Sequence, residues 1–130
     1  MGDLVLTTAK LDAIRAQLEN NLISAGIHSV LIVDSAGNII ASCGKHMQSI
    51  DSISLAALTA ANCAATSQIA RIIGEEDFGL IFHKGKKDSI HFAKIGQDYI
   101  LISIFNDNVS LGVVRLKVTE VSQHLRELLN

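Results

Sequence analysis

Apolar residues recur every three or four positions near the amino end of the chain. Over residues 8–25, Leu11, Ile14, Leu18 and Leu22 follow these steps, with charged residues between them. This spacing predicts an amphipathic first helix over residues 8–25.

The next apolar runs are shorter and rich in β-branched residues. In SVLIVDSAGNIIASCG two such runs flank residues 34–38, where Asp and Asn bond their own backbone and Gly accepts a positive φ. A β-hairpin is therefore predicted. The runs FGLIFH, SIHFAKI and YILISIF, at residues 78–83, 89–95 and 99–105, are separated by short polar turns and predict an antiparallel three-stranded meander.

A long segment between the hairpin and the meander lacks charge. Residues 52–70, SISLAALTAANCAATSQIA, contain no Asp, Glu, Lys or Arg. Asp51 suits an N-cap and Gly74 a C-terminal stop, so a helix is predicted from Asp51 to about Ile73. A last helix is predicted from Asn108 to the end. The order α-β-β-α-β-β-β-α predicts an α/β sandwich with a five-stranded antiparallel sheet, in one domain spanning residues 1–130.

On a helical wheel the uncharged helix has two faces. We expect the face with the larger side chains, Leu55, Leu58, Ile69 and Ile73, to pack on the sheet. Small side chains on the opposite face allow close approach of another helix, which in a homodimer is the same helix of a second copy. The alternative is an Ala-rich helix buried in its own domain. The predicted partner-binding residues are Ile53, Ala56, Ala57, Ala60, Ala64, Ser67 and Arg71.

The first strand of the meander is predicted to lie at an open sheet edge, where its backbone N–H and C=O groups can pair with another strand. In a homodimer this edge strand would join its counterpart. The predicted edge residues are Phe78, Leu80, Ile81, Phe82 and His83.

The composition and charge of the chain argue against nucleic-acid binding, lipid binding and a membrane span. The chain is 48% hydrophobic and 18% charged with a net charge of -2, which is typical of a globular protein without general attraction to nucleic acid or anionic lipid. The amino end lacks the basic start of a secretory signal, and no run of about 18 consecutive apolar residues predicts a membrane span. We expect a cytoplasmic protein in which Cys43 and Cys63 are reduced packing residues.

Candidate catalytic or ligand-binding motifs are weak. FHKGKKDS lacks the spacing of a phosphate loop, and its lysines are expected to form a solvated hairpin tip, with binding to an acidic partner as the alternative. His83 and His91 could face each other across two strands, yet a third metal ligand at recognised spacing is missing. We therefore expect no metal, no cofactor and no catalysis by the chain itself. The alternative is a small-ligand or metal-binding enzyme built around the hairpin of these histidines.

Two arginines lie in predicted helices. Arg71 is expected to stabilise the C-terminal end of its helix, where a positive charge is favourable. Arg115 is expected to form an ion pair on the last helix.

The chain resembles the Roadblock (dynein light chain 7-like) family and, within it, the bacterial MglB proteins. The resemblance is carried by SLAALTAANCAAT at residues 54–66, FHKGKKDSI at 82–90 and SLGVVRL at 110–116, in an element order that covers nearly the whole chain. It implies a homodimer whose sheets join through the third strand, with two paired central helices forming a platform for one GTPase.

The resemblance also implies what the protein does. MglB-like proteins are GTPase-activating regulators of small Ras-like GTPases of the MglA type, in bacterial motility or cell polarity, and they reshape the catalytic loops of the GTPase instead of donating an arginine. A Roadblock scaffold that assembles a complex without altering the nucleotide cycle is the alternative function. With a GTPase as partner, the alternative for Arg71 is an arginine finger.

Overall fold

The computed structural model describes residues 6–45, 47–78 and 81–130. Short 3₁₀ turns lie at Ile23–Ala25 and Met47–Ser49. The predicted order of helices and strands is confirmed. The elements are α1 (Thr8–Asn21), β1 (Ser29–Asp34), β2 (Ile39–Gly44), α2 (Ser52–Ile72), β3 (Ile81–Lys84), β4 (Ser89–Ile95), β5 (Tyr99–Phe105) and α3 (Leu111–Leu129).

The five strands form one sheet in the order β2-β1-β5-β4-β3. Every neighbouring pair is antiparallel, which confirms the predicted sheet. β1, β5 and β4 lie in the interior of the sheet, whereas β2 and β3 are its edges.

Helices cover both faces of the sheet. α1 and α3 contact each other and pack on one face, where Val30, Ile32 and Leu101 belong to their core. On the other face Leu31 and Val33 belong to the core beneath α2. Alternate side chains of a strand point to opposite faces, so β1 supplies both cores and is apolar along nearly its whole length.

Side-chain caps define where the helices begin. Thr7 Oγ1 accepts a hydrogen bond from the Lys10 backbone N–H at 3.1 Å, and the Asp51 carboxylate accepts one from the Ser54 backbone N–H at 3.1 Å. Such caps satisfy amide donors that lack a partner within the helix. The predicted N-cap at Asp51 is confirmed.

The ends of two predicted helices shift by a few residues. α1 ends at Asn21, four residues before the predicted limit, because the chain tightens into the 3₁₀ turn and then reverses at Gly26, whose φ is 105°. α3 begins at Leu111 instead of Asn108, because Ser110 has an extended backbone and caps the helix. The stop predicted at Gly74, with φ 87°, is confirmed.

Candidate functional site

The outer face of α2 carries large apolar side chains that the chain itself does not cover. Ile72 is 83% exposed, Leu58 is 68% exposed, and Ile73 is 65% exposed. Apolar surface of this kind is typical of a protein contact site. We define the α2 surface as Ile53, Leu58, Ile69, Ile72 and Ile73, all of them exposed.

The buried face of α2 consists of small side chains. Ala56, Thr59, Cys63 and Ala70 are the buried residues of the helix. Of the four residues expected on this face, Leu55 is half-buried and packs against the core beneath α2, whereas Leu58, Ile69 and Ile73 are exposed. The expected orientation is therefore wrong by a rotation of about 100°, one residue of an α-helix.

The reason for this rotation lies in the sheet. The strands beneath α2 already supply large side chains, among them Ile100, Ile102 and Phe92, so small helix residues fill the remaining space. A turn also approaches the helix backbone closely. A Cβ added at Gly37, between β1 and β2, would lie 3.1 Å from the Ala57 Cα.

The predicted partner-binding residues are distributed over three environments. Ala56 is fully buried within the chain, so its side chain cannot face a partner. Ala60 and Ser67 are half-buried at the border of the helix. The other four predicted residues, Ile53, Ala57, Ala64 and Arg71, are exposed. A role of the predicted residues in partner binding stays a prediction.

Sequence reasoning missed the contribution of Leu58, Ile69 and Ile73 to an exposed surface, because apolar size alone was taken to indicate burial. The signal that could have found it is the length of the uncharged segment. A helix that is apolar all round needs a cover on each side, and the larger residues can lie under either cover.

β3 lies at a sheet edge, as expected from its place in the meander. It begins at Ile81, with Phe78 preceding it, and Leu80 lies outside the described residues. The Phe82 ring stacks against Phe105 with 6.0 Å between ring centroids, whereas His83 is exposed. The role of these residues in a dimer stays a prediction.

Polar contacts fix the segment that leaves α2. The Lys94 ammonium donates to the Asp77 carboxylate and, at 3.0 Å, to Ser67 Oγ. The hydrogen bond from Lys94 lowers the pKa of Asp77 below its usual value. The end of the helix is thereby tied to β4, close to the α2 surface.

The two candidate histidines do not form a site together. His91 is directly opposite Phe82, whereas His83 is directly opposite Ile90, so the two rings lie on opposite faces of the sheet. Within residues 6–45, 47–78 and 81–130, no group of three or more His, Cys, Asp or Glu side chains is placed to hold a metal ion.

The remaining candidate residues have simple environments. Lys84, Lys86 and Lys87 are exposed at the β3–β4 turn. Cys43 and Cys63 are free thiols in buried positions, and burial raises the pKa of both. They are packing residues, as expected.

Arg115 corrects one expectation. It has no acidic partner among the described residues, although the sequence suggested an ion pair on the last helix. The ion pair on α3 joins Lys117 to Glu120 at 3.5 Å instead.

α2 also meets the length and composition of a membrane span, as one helix within the described part of the chain. A count of consecutive apolar residues missed it because Ser, Thr, Asn and Gln interrupt the run. A single helix of this kind is weak evidence for a span. Since part of α2 is buried against the sheet, we interpret the helix as having a core face and an exposed apolar face.

The sequence profile of the Roadblock/LC7 domain matches residues 16–105, from α1 through the last strand of the sheet. The chain belongs to the Roadblock/LC7 family. No curated protein sequence matches it significantly.

Solved structures of similar proteins extend the likeness beyond the domain profile. MglB of Myxococcus xanthus is 37% identical, with a TM-score of 0.86 over 96% of this chain and 93% of that one. The gliding protein MglB of Thermus thermophilus is 27% identical, with a TM-score of 0.87 over 99% and 97% of the two chains. An MglB structure with a tetrameric arrangement is 26% identical, with a TM-score of 0.88 over 99% and 96%. The Roadblock fold predicted from the sequence is confirmed.

Proposed function

We propose that this Roadblock protein is a homodimeric regulator of a small Ras-like GTPase of the MglA type and accelerates GTP hydrolysis by binding it. The observation that carries the proposal is the α2 surface, a set of large apolar side chains that the chain leaves uncovered. The likeness to MglB structures over nearly the full chain supports an MglB-type regulator.

Two features support a homodimer. The edge strand β3 has unpaired backbone groups along one side and can add a strand from a second copy. We infer that the two-fold operation of such a dimer also pairs the two α2 helices. The paired helices then form one apolar platform for the GTPase.

Activation is proposed to act through the conformation of the GTPase. A protein that binds the hydrolysis-competent conformation more tightly shifts the GTPase towards that state. It follows that the dimer binds the GTP form more tightly than the GDP form. Arg71 is exposed in the last turn of α2, where its positive charge stabilises the C-terminal end of the helix. In this mechanism the GTPase is activated without an arginine inserted from the regulator.

The proposed setting is the bacterial cytoplasm, in cell polarity or motility. The support is the likeness to a Thermus thermophilus protein described as a gliding protein.

The test is single-turnover hydrolysis by an MglA-type GTPase loaded with GTP, with and without this protein. We expect faster hydrolysis with the protein and none by the protein alone. Leu58→Glu, on the α2 surface, should abolish the stimulation, because binding would bury an unpaired charge. The matched control is Leu116→Glu on α3, where Leu116 is 56% exposed, and it should stimulate as the wild type does.

Two further measurements separate the mechanisms. If Arg71→Ala lost most of the stimulation at unchanged affinity, Arg71 would be a finger and conformational activation would be wrong. Equal affinity for the GTP and GDP forms with unchanged hydrolysis would identify a scaffold and contradict the regulator.

A further inference from the structure

Two groups of like charge lie at opposite ends of the edge strand β3. Lys84 ends the strand, and Lys86 and Lys87 follow in the β3–β4 turn, where all three side chains are exposed. Glu75 and Glu76 lie at the other end, in the segment that leaves α2, and are also exposed. The chain thus presents positive charge at one end of its open edge and negative charge at the other.

Neither group has a counterion within the part of the chain that the structure describes. The three lysines and the two glutamates take part in no ion pair among the described residues. Asp88, the acidic residue of the turn, lies 3.3 Å from His28, measured from Oδ1 to Nε2. Asp77, the acid that follows the glutamates, is paired with Lys94. Both groups are therefore available to charges on another molecule.

The length of β4 keeps the two groups apart within one chain. Ser89 is directly opposite Lys84, whereas Lys94, which holds Asp77 beside the glutamates, lies five residues further along β4. Five residues of a strand span about 17 Å. Since an ion pair requires nitrogen and oxygen within about 4 Å, the lysines of the turn and the glutamates do not meet in a monomer.

A homodimer joined through β3 changes this arrangement. Both α2 helices lie on the same face of the joined sheet only if the two-fold axis is perpendicular to the sheet, and this axis makes the two β3 strands antiparallel. In an antiparallel pair the end of one strand lies beside the start of the other. Each group of lysines then approaches the glutamates of the second copy, and symmetry makes the contact twice.

We propose that the β3–β4 turn binds the segment after α2 of a second copy, with Lys86 and Lys87 paired to the partner subunit's Glu75 and the partner subunit's Glu76. This inference rests on the proposed homodimer and names the charges that set the direction of its joined strands. In a parallel pairing like charges would lie side by side at each end, which is unfavourable. The ion pairs therefore favour the antiparallel dimer over the parallel one.

Charge reversal in mixed dimers tests the proposal. Lys86→Glu with Lys87→Glu makes both ends of the edge acidic, and Glu75→Lys with Glu76→Lys makes both ends basic. Each double variant alone brings like charges together twice, so its dimer dissociation constant should rise at least about tenfold. Mixed together, the two double variants pair opposite charges at both ends, and heterodimers should exceed the share expected from random pairing.

Native mass spectrometry measures the share of heterodimers after one variant is labelled with heavy nitrogen. Glu120→Lys with Glu127→Lys is the matched control, because it adds the same charge at exposed positions on α3 instead of beside β3. Mixed with the lysine-reversed variant, it should give no excess of heterodimers. Thermal unfolding checks that each variant folds.

The salt dependence of the wild type supplies a second measurement. Its dimer should dissociate more readily as sodium chloride is raised from about 50 to about 500 mM, because salt screens exposed ion pairs. A wild-type dimer whose charge-reversed variants give no excess of heterodimers would overturn the charge pairing and leave the homodimer standing. A wild type that stays monomeric would overturn the homodimer and the charge pairing with it.

Discussion

Ala56 and Leu58 lie two residues apart on α2 and have opposite environments. Ala56 is fully buried against the sheet, whereas Leu58 is 68% exposed. The burial of a side chain therefore depends here on the space left beneath the helix more than on its own apolar area. A small residue fits where the sheet already supplies the volume.

The titration of His91 gives a prediction at the same scale. The pKa of His91 is lowered in the folded protein by burial and then by Arg115, so the unfolded chain takes up a proton first as the pH falls. The contribution of His91 to stability is therefore complete above the unfolded pKa of about 6.5 and is lost between that value and the lower folded pKa. On acidification from about pH 7.5 to 5.5, the wild type should lose more unfolding free energy than His91→Phe.

Urea denaturation at the two pH values measures this difference. An NMR titration of His91 provides the independent check, because its ring should titrate below the value found in the unfolded chain. A variant with the same pH dependence as the wild type would show that His91 is not desolvated.

At the scale of elements, α2 is positioned by contact with a turn as well as with strands. Gly37 lies in the β1–β2 turn with φ 90°, and a Cβ at this position would lie 3.1 Å from the Ala57 Cα. Because Gly37 has no side chain, the backbone of α2 can approach the β1–β2 turn closely. The large residues of α2 then remain on its outer face.

A pair of glycine variants tests this packing. Gly37→Ala should destabilise the fold through both an unfavourable positive φ and the contact with α2, by roughly 2 to 4 kcal/mol. Gly74→Ala is the matched control, because Gly74 has a similar φ of 87° but no atom within 4 Å of an added Cβ. Its effect should stay near the backbone term of about 1 to 2 kcal/mol. Equal losses in urea denaturation would mean that the turn and the helix do not restrict each other.

At the scale of the whole molecule, the exposed apolar face of α2 and the open edge of β3 indicate self-association. We expect light scattering after size exclusion to give about twice the 13.9 kDa chain mass at low micromolar concentration. Because association stabilises only the folded chain, the unfolding temperature should rise with protein concentration. A monomer mass with an unfolding temperature independent of concentration would contradict the proposed dimer.

The sequence by itself determined the features that depend on residues close together in the chain, namely the order of the elements, the start of α2 and the first turn. The order of helices and strands follows from hydrophobic periodicity, and the start of α2 follows from Asp51 bonding to Ser54 one turn later. The turn at residues 34–38 likewise follows from Asp34, whose carboxylate accepts from the Asn38 backbone N–H at 2.8 Å. The motifs at residues 54–66, 82–90 and 110–116, in their order along the chain, were sufficient to identify the Roadblock family.

Only the tertiary structure decided which side of α2 meets the sheet and which groups meet where α3 crosses β4. Periodicity shows that a helix has two apolar sides but not how much room lies under each, because that room depends on distant residues such as Ile100 and Ile102. The placement of His91 beside Arg115 likewise depends on how α3 crosses β4. Packing between elements far apart in the sequence sets both arrangements, and no local pattern records it.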